Sequence, residues 1–410
     1  MAAKNESTFV GLDIGTSKVV FVVGLHQEDM AEPSIIGLGV APTTGLRRGT
    51  VSDVEETVAS ITTALEEAER MSGVTIERAT ISVDGAHIQS LNSKGVIAVS
   101  RADHEISRED LARVEEAAAA IQMDSNRQIL QVIPKSYTVD SQTNVVDPVG
   151  MNGVRLEVDT HIITAASPAM KNLTNSVFRA GLQINDQLLV PLAAARAVLS
   201  KRQFELGVAL VDIGAETTGI AVFEEGGITF TTILPVGSNH ITKDLVYGLR
   251  TNIDVAEKLK LARATAVKDK ARANEKVDLA DFGGSGVVSQ GEIDKIVTSR
   301  SQEIFEMVHA ELRKVGKDSM LAGGVVLTGG GAKLKEIDAL AQNILKLNVS
   351  IATPKGFGGI SDKVKDPAYA AAVGLMLEDM NHIPPGHGGL NRAIGGVLNQ
   401  IKGIFKNFLP

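Results

Sequence analysis

Short runs of β-branched and other apolar residues recur along the chain, beside segments whose apolar residues return every three or four positions. The runs predict strands, and the longer period predicts amphipathic helices. One helix should begin after Thr50, with Ser52 as its N-cap and Glu55 completing a capping box, and should end towards Gly73. A second helix should begin near Ser107. The alternation of the two patterns predicts an α/β protein with mixed sheets.

Two stretches interrupt this pattern, and we interpret them as inserted units. Residues from about 84 to 160 combine short strands with a polar, turn-rich stretch, whereas residues from about 239 to 322 are helical and densely charged. Residues 381–390 contain a Pro-Pro pair and several glycines, which predicts a flexible linker. A chain of 410 residues with 44% hydrophobic content is too long for one ordinary domain, so we expect two lobes.

Composition narrows the function classes. The chain has no cysteine, which excludes disulfides, thiolate metal sites and cysteine nucleophiles and favours a reducing cytosol. Aromatic residues make up 3% of the chain and Trp is absent, so we expect no nucleic-acid partner. The N-terminus lacks the apolar segment of a signal peptide, and no run of about 18 apolar residues could span a bilayer, so we expect a soluble body.

A strand–turn–strand unit occurs twice. Residues 9–22 and 208–223 each contain an apolar strand, Asp-Ile-Gly, small hydroxyl residues and a second apolar strand. Backbone N–H groups at such a tip can bind a phosphate oxygen, and we expect Gly15 and Gly214 to supply the positive φ and close approach that this requires. One copy alone is equally consistent with an ordinary hairpin turn. Two copies, one in each half of the chain, predict two facing lobes that clamp one polyphosphate.

Side chains at both turns suit a magnesium phosphate. Asp13 and Asp212 should face a hydrated Mg²⁺, mostly through water, and should contribute weakly to catalysis by positioning water. Lys18 can place a positive charge on a β- or γ-phosphate. The predicted hydroxyl donors are Thr16, Ser17, Thr217 and Thr218.

A third glycine-rich segment covers residues 323–335, where a strand runs into Gly329, Gly330 and Gly331 and then into a predicted helix. That arrangement would place bare backbone and a helix N-terminus beside a ribose or an α-phosphate. Such a bend is also common for packing alone. The segment therefore supports a nucleotide site only in combination with the paired turns.

These motifs resemble those of the actin, sugar-kinase and heat-shock-chaperone superfamily and, more narrowly, those of the FtsA family of bacterial cell-division proteins. The resemblance implies an α/β, actin-like two-lobed fold, which is a duplicated ribonuclease-H-like fold, with an FtsA-type inserted subdomain at about 84–160. Lobe I would comprise residues 1–200 and 360–380. Lobe II would comprise residues 201–359, with a helical subdomain at about 239–322. The segments that carry the resemblance are 11–18, 211–219, 256–260, 327–333 and 366–374.

The resemblance implies ATP and Mg²⁺ as ligands, with Glu257 at the ribose hydroxyls and Lys260 near the base. Val190 stands where chaperones have a Glu, and actin a Gln nearby, to orient the attacking water. We therefore expect at most slow hydrolysis, with ATP acting mainly as a structural ligand. The implied nucleotide-binding residues are Gly15, Thr16, Ser17, Lys18, Gly214, Ala215, Glu216, Thr217, Thr218, Glu257, Lys260, Gly329, Gly330, Gly331 and Lys333.

The resemblance also implies protein partners. The unit at 84–160 would bind other division proteins, and the unit at 239–322 would bind the C-terminal tail of FtsZ, the tubulin-like ring protein. Arg300 and Glu303 match positions implicated in that contact, although both could belong to an ordinary solvated helix face. The chain would polymerise with itself.

Residues 391–410 carry no Asp or Glu, although the formal net charge of the chain is -8. On a helix, their apolar residues form one stripe, which predicts an amphipathic helix that lies on an anionic lipid membrane. The alternative is a C-terminal helix docked on the protein's own core. The predicted membrane-binding residues are Ile394, Val397, Leu398, Ile401, Lys402, Ile404, Phe405, Lys406, Phe408 and Leu409.

Together these features predict an ATP-binding, actin-like protein that polymerises on the cytoplasmic face of the cell membrane at the division site. There it would tether the FtsZ ring and recruit other division proteins. Two alternatives share the superfamily motifs, a PilM-like pilus-assembly protein and a sugar or acetate kinase. The predicted lipid-binding helix argues against both, and the low aromatic content argues further against a sugar kinase.

Overall fold

The computed structural model describes residues 6–27 and 32–380. The predicted linker at 381–390 and the predicted membrane-targeting helix at 391–410 lie outside the described residues. Strands in the described part are β1 (Glu6–Ile14), β2 (Lys18–Gln27), β3 (Ser34–Pro42), β4 (Leu46–Arg47), β5 (Thr50–Val51), β6 (Arg78–Val83), β7 (Gln89–Ala98), β8 (Arg127–Val139), β9 (Gln142–Val145), β10 (Arg155–Ala166), β11 (Gln183–Leu189), β12 (Val208–Ile213), β13 (Thr218–Glu224), β14 (Gly227–Leu234), β15 (Lys276–Asp278), β16 (Val287–Ser289), β17 (Val325–Thr328), β18 (Val349–Ile351) and β19 (Gly358–Gly359).

Helices in the same part are α1 (Val54–Ser72), α2 (Arg108–Ala119), α3 (Ser167–Arg179), α4 (Val190–Val198), α5 (Lys201–Leu206), α6 (Ser238–Leu249), α7 (Ile253–Arg263), α8 (Gln290–Lys314), α9 (Ile337–Leu345), α10 (Ser361–Val364) and α11 (Ala370–Asp379). Short 3₁₀ helices occur at Leu279–Phe282, Gly330–Lys333 and Pro367–Tyr369. Across residues 6–27 and 32–380, none of the helices combines the length and the apolar character needed to cross a bilayer.

The two larger sheets have the same strand order. Lobe I contains β3-β2-β1-β6-β11, extended at its edge by β19, and lobe II contains β14-β13-β12-β17-β18. In each sheet the first three strands form an antiparallel meander, and the next strand pairs in parallel with the strand that precedes the turn. This equivalence confirms the prediction of two lobes built on a duplicated unit.

The apolar run of β2 is continuous because both faces of its sheet are covered. Val20 and Val22 enter a core that contains Met376 of α11. Val19, Phe21 and Val23 enter the core on the other face, which contains Ile61 of α1. Successive strand residues point to opposite faces, so one run of apolar residues serves both cores. The sheet is therefore covered by helices on both faces.

Helix α1 begins one residue later than the sequence pattern predicted. Its N-cap is Asp53, whose Oδ1 accepts from the N–H of Glu56 at 3.0 Å. Ser52 is instead used by the loop, because its hydroxyl donates to Gly45 O at 3.0 Å. The helix ends at Gly73, in the left-handed conformation (φ 72°), as predicted. Helix α2 begins at Arg108, with Ser107 as its N-cap, which agrees with the predicted start near Ser107.

The inserted subdomain consists of the sheet β7-β10-β8-β9 and α2, and it lies in the chain between β6 and α3. Its own small core includes Val114 and Leu156. It also packs on lobe II, since Ile163 of β10 and Ile228 of β14 share one core. At that contact, Ser90 Oγ donates to Thr231 O at 2.7 Å.

The helical unit of lobe II is shorter than its predicted limits at 239–322. Helices α6 and α7, the β15–β16 hairpin and the first part of α8 enclose a separate core that includes Leu245, Leu259 and Val297. The second part of α8 packs instead under the lobe II sheet, through Phe305 and Leu312. One long helix thus belongs to two cores.

Candidate functional site

A cleft of about 730 Å³ lies between the two lobes, where β1, β6, β12 and β17 end. The structure brings most of the sequence-predicted site residues together in its lining. Those residues are Asp13, Gly15, Thr16, Ser17, Lys18, Asp212, Gly214, Ala215, Thr217, Glu257, Lys260, Gly329, Gly330, Gly331 and Lys333. Val190, the first residue of α4, also lines the cleft and presents an apolar side chain there.

The two turns close in the same way. The N–H of Gly15 donates to Lys18 O at 3.1 Å, and the N–H of Gly214 donates to Thr217 O at 2.9 Å. The expectation of positive φ at these glycines is wrong, since neither adopts it. A Cβ at either position would lie 3.0 Å from the carbonyl oxygen three residues later, so glycine is favoured because the turn is tight.

Among the glycines that line the cleft, Gly329 is the one with a positive φ, 84°. A Cβ there would lie 2.3 Å from Asp212 Oδ1, so only glycine lets the two lie this close together. The helix expected directly after the glycines begins later, because Gly330–Lys333 forms a 3₁₀ turn and α9 starts at Ile337. Bare backbone borders the cleft here, but the N-terminus of a long helix does not follow it.

Three carboxyl groups meet at the floor of the cleft, those of Asp13, Asp84 and Asp212. Burial raises the pKa of Asp13 to about 6, and the charge of Asp84 adds to the rise, against a hydrogen bond from Ser82. Burial and then the charges of Asp13 and Asp84 raise the pKa of Asp212 to about 8. Acids with such raised pKa values favour a nearby cation, which would relieve their mutual repulsion.

The chemistry of this donor set fits a hydrated Mg²⁺. In the part of the chain that the structure describes, no three His, Cys, Asp or Glu side chains are arranged to hold a metal ion among themselves. Mg²⁺ commonly keeps several waters and takes one or two carboxylates together with phosphate oxygens. Carboxylates of Asp13, Asp84 and Asp212 line the floor of the cleft, and the backbone of both turns borders the same cleft.

Asp84 is a site residue that the sequence pattern did not reveal. Position 84 entered the sequence analysis only as the first residue of the inserted unit. Thr217 Oγ1 donates to Asp84 Oδ2 at 2.6 Å, so this carboxylate contacts the second turn. A signal was present, because Asp84-Gly85 follows a buried apolar strand in the way that Asp-Ile-Gly closes β1. The sequence alone does not show that this strand, β6, pairs in parallel with β1 and so ends beside it.

Lys18 lies over an aromatic ring that the motif comparison did not single out. Its Nζ is 4.1 Å from the ring centroid of Tyr369, at the start of α11. Burial lowers the pKa of Lys18, although Asp13 and Asp366 oppose the change. Lys333 pairs with Asp366. The segment at 366–374 thus holds both lysines, Lys18 through Tyr369 and Lys333 through Asp366.

Glu257 and Lys260 are held together at the edge of the cleft on α7. Lys260 Nζ lies 2.7 Å from Glu257 Oε2 and donates to Thr242 Oγ1 at 2.8 Å. Thr242 in turn donates to Glu257 at 2.6 Å. Lys260 is 9% exposed, so this triad is a fixed part of the wall rather than a mobile pair.

Two predicted nucleotide-binding side chains do not line the cleft. Thr218 is buried in β13, and its hydroxyl donates to Val236 O at 2.8 Å. Glu216 accepts hydrogen bonds from Lys243 Nζ and from the N–H of Arg48. Both side chains thus bind other groups of the protein rather than the space of the cleft.

Arg300 and Glu303, the predicted partner-binding residues, lie on α8 and are not part of the cleft lining. Arg300 forms a bidentate pair with Asp244 of α6, at 2.6 and 3.0 Å, and donates to Glu303 at 2.5 Å. Tyr247 of α6 is 82% exposed. A charged network therefore joins α6 and α8, with an exposed aromatic residue one turn along α6 from Asp244.

Comparisons with known proteins bear on the family. Residues 209–374 match the family model described as Cell division protein FtsA, and residues 85–164 match that described as SHS2 domain inserted in FTSA. Cell division protein FtsA of Pseudomonas aeruginosa is 39% identical, over 90% of this chain and 88% of that protein. The proteins of that name from Bacillus subtilis and Escherichia coli are 41% and 32% identical, over 91% of this chain and 83% and 90% of theirs. The chain belongs to the FtsA family of cell-division proteins.

Solved structures similar to this FtsA-family chain confirm the actin-like fold. A PilM-PilN type IV pilus biogenesis complex aligns with a TM-score of 0.66 and 16% identity, over 90% of this chain and 98% of that chain. MreB5 of Spiroplasma citri bound to ADP aligns with a TM-score of 0.51 and 16% identity, over 90% and 95%. At such identities these likenesses concern the fold alone. The FtsA relatives therefore favour cell division over the pilus-assembly and kinase alternatives.

Proposed function

We propose that this FtsA-family protein binds ATP with Mg²⁺ in the interlobe cleft, polymerises on the inner face of the cell membrane and tethers the FtsZ ring there. The observation that carries the proposal is the pair of matching turns facing one cleft from two lobes, beside the carboxyl groups of Asp13, Asp84 and Asp212. The nucleotide would neutralise the lysines, and its metal would neutralise the carboxylates.

Nucleotide binding is assigned to groups of known placement. Backbone at Gly15 and Gly214, together with Lys18, would hold the phosphates, and Glu257 and Lys260 would face the ribose and base. Asp13 and Asp212 would hold Mg²⁺ mainly through water. A solved relative of the fold is described as bound to ADP, which supports a nucleotide in the equivalent cleft.

Hydrolysis is proposed to be slow. The position that would orient the attacking water is Val190, and its apolar side chain cannot accept a hydrogen bond from that water. Positioning of the attacking water supplies much of the rate in phosphoryl transfer. The chain would therefore keep the groups that stabilise charge on the phosphates but lack a group that aligns the water. The nucleotide would then act mainly by holding the lobes closed in a form that assembles.

Membrane attachment is assigned to residues 391–410, on the pattern of their sequence. A single basic amphipathic segment binds anionic lipid reversibly, whereas a filament that presents many of them binds through a high effective concentration. Polymerisation and membrane attachment would therefore strengthen each other.

Partner binding is assigned to two surfaces. The network of Asp244, Arg300 and Glu303, next to exposed Tyr247, would receive the C-terminal tail of FtsZ, since it offers both charges and an apolar contact.

The inserted subdomain would bind other division proteins. Its exposed apolar residues include Val146, Val149 and Val154.

The test is electron microscopy of the purified chain on anionic vesicles, with and without Mg-ATP, alongside a chain that ends at residue 390. We expect filaments on the membrane only for the full chain with nucleotide. Calorimetry on the same samples should show that both chains bind Mg-ATP equally. Filaments without nucleotide, or equal membrane binding by the shortened chain, would contradict the proposal.

The FtsZ surface is tested separately with an FtsZ C-terminal peptide. Arg300→Glu should weaken peptide binding and leave Mg-ATP affinity unchanged, because the residue lies outside the cleft. Arg313→Glu, on the same helix and with a largely exposed side chain outside this network, serves as the control for the change of charge. Equal peptide affinity for both variants would place the contact elsewhere.

A further inference from the structure

The hairpin formed by β4 and β5 lies beside both turns of the cleft. Arg48 and Gly49 at its tip have φ angles of 49° and 75°, the left-handed pair of a type I′ turn. Its base is closed by the N–H groups of Ser52 and Asp53, which donate to Gly45 O at 2.8 and 3.0 Å. The segment that leads into it is held to the first turn of lobe I, because the N–H of Thr43 donates to Ser17 O at 3.1 Å. The hairpin is therefore a rigid part of lobe I.

The two N–H groups at the tip donate to different lobes. That of Gly49 donates to Thr16 Oγ1 at 3.2 Å, in the first turn. That of Arg48 donates to Glu216 Oε2 at 2.9 Å, in the second turn. The other carboxylate oxygen of Glu216 accepts from Lys243 Nζ of α6 at 2.7 Å. One series of hydrogen bonds thus runs from the first turn to lobe II.

Glu216 brings a negative charge to the second turn, whereas the uncharged Ser17 occupies the matching place in the first turn. A carboxylate would repel a phosphate group, and Glu216 does not line the cleft. Burial would raise the pKa of Glu216, but hydrogen bonds from Lys243 and from the N–H of Arg48 outweigh it and hold the pKa below its usual value. The charge therefore serves the hairpin rather than a ligand.

Thr16 is the other end of the series, and its side chain lines the cleft. Because Oγ1 accepts from the N–H of Gly49, the hydroxyl hydrogen remains available to donate towards a ligand. The hairpin tip thereby fixes the direction of that hydroxyl.

We propose that Glu216 is a positioning residue, which latches the hairpin tip to lobe II and, through Gly49, orients the Thr16 hydroxyl towards the terminal phosphate of a bound nucleotide. The inference rests on the proposed function, since it takes nucleotide as the occupant of the cleft. The latch forms only when the lobes are close, so it links lobe closure to affinity for the triphosphate.

Calorimetry with Mg-ATP and Mg-ADP tests the latch in Glu216→Ala and Glu216→Gln. Alanine removes the acceptor for Arg48, whereas glutamine keeps an oxygen for it. We expect alanine to weaken Mg-ATP binding about tenfold, the value of one charged hydrogen bond, to change Mg-ADP binding much less, and to be largely rescued by glutamine. Equal losses for both nucleotides without rescue overturn the proposal.

A double-mutant cycle with Thr16→Val tests the route through Thr16. In that background Glu216→Ala should cause no further loss of Mg-ATP affinity, because no hydroxyl remains to be oriented. Losses that add would show that Glu216 acts independently of Thr16 and would overturn the proposal.

A measurement without nucleotide separates this proposal from the proposed function. The chain has no cysteine, so spin labels at Glu66→Cys of α1 and Lys295→Cys of α8, both exposed, report the distance between the lobes. We expect Glu216→Ala to lengthen or broaden that distance. Lys317→Ala is the control, because its ion pair with Glu224 lies within lobe II and should leave the distance unchanged.

The two failures then differ. If the unaltered chain binds neither nucleotide, the proposed function fails, whatever the label distances are. If it binds nucleotide and the label distance in Glu216→Ala equals that of the unaltered chain, the latch is overturned while the proposed function stands.

Discussion

The hydroxyl of Thr217 donates to the carboxylate of Asp84 at 2.6 Å, and this contact joins the second turn to the end of β6 across the floor of the cleft. The two residues belong to different lobes, and both line the cleft. Burial raises the pKa of Asp84, and the bond from Thr217, together with one from the N–H of Gly85, opposes that rise.

Replacing Thr217 by Val should leave the half-buried Asp84 carboxylate without this donor. We expect the free energy of unfolding to fall by about 1.5–3 kcal/mol, the contribution of a hydrogen bond to a charged group. Urea titration followed by circular dichroism measures the change. Thr217→Ser keeps the hydroxyl and is the matched control, so equal stability of the two variants would show that the bond contributes little.

Asp212→Asn should stabilise the metal-free protein at neutral pH. The pKa of Asp212 is raised from 3.8 to about 8, so the folded state holds the proton more tightly than the unfolded state. The free energy of unfolding therefore falls as pH rises across that window. Without the titrating group we expect a gain on the order of 2 kcal/mol at pH 8 and little gain below pH 4.

Urea titrations in a chelator at pH 4 and pH 8 measure this effect, and Asp53→Asn, at an exposed helix cap, is the control for loss of a carboxylate. The same Asp212→Asn variant should lose affinity for Mg-ATP. A loss of stability at pH 8 would contradict the assigned cause of the raised pKa.

His161 should make the contact between the inserted subdomain and lobe II sensitive to acid. Its Nδ1 is 2.9 Å from Asn92 Oδ1, so that nitrogen carries the proton, and its Nε2 accepts from Thr231 Oγ1 at 2.9 Å. Burial, followed by the charge of Lys135, lowers the pKa of His161 to about 4. The unfolded chain therefore takes up this proton first as pH falls from 6.5 to 4, and stability is lost over that window.

We expect the unaltered chain to lose up to about 3 kcal/mol more over this window than His161→Gln, which cannot titrate. Parallel urea titrations at several pH values measure the difference. His309→Gln, on α8, is the control for loss of a histidine. Equal slopes for His161→Gln and the unaltered chain would contradict the buried, neutral state of the ring.

Gly374→Ala should be far more disruptive than Gly24→Ala. A Cβ at Gly374 would lie 1.7 Å from the backbone oxygen of Ala193, where α11 crosses α4. A Cβ at Gly24 would meet the thioether of Met376 at 2.4 Å, and a flexible side chain can move. We expect a loss of more than about 3 kcal/mol for the first variant and about 1 kcal/mol for the second, measured by thermal unfolding. Similar losses would show that α11 shifts easily.

Val190→Gln should raise the rate of ATP hydrolysis, because an amide at the first position of α4 could orient the attacking water. We expect an increase of about tenfold, which is less than an optimally placed acid or base contributes, because an amide only orients the water. Phosphate release under saturating Mg-ATP measures it. Val190→Leu keeps the position apolar and should show no increase, so equal rates in the two variants would contradict the proposed cause of slow turnover.

The turns themselves were predictable because their closing bonds are local. The N–H of Gly15 reaches the carbonyl of Lys18 only three positions later, so residue types in order are enough to predict such a turn. The helix start was off by one residue because Ser52 and Asp53 can both cap, and the distant Gly45 carbonyl takes the hydroxyl of Ser52. The local sequence left two possible N-caps, and the contact of Ser52 with Gly45 in the loop decided between them.

The amino-acid sequence by itself determined the α/β class, the duplicated turns, the inserted unit and most of the cleft lining, because these depend on periodicity and on bonds between near neighbours. Tertiary structure alone decided that Asp84 meets Thr217, 133 positions away, and that Glu216 and Thr218 leave the cleft. Which way a side chain leaves a turn, and which strands lie side by side, is decided by the burial of apolar surface over the whole molecule, and a local pattern does not contain that information.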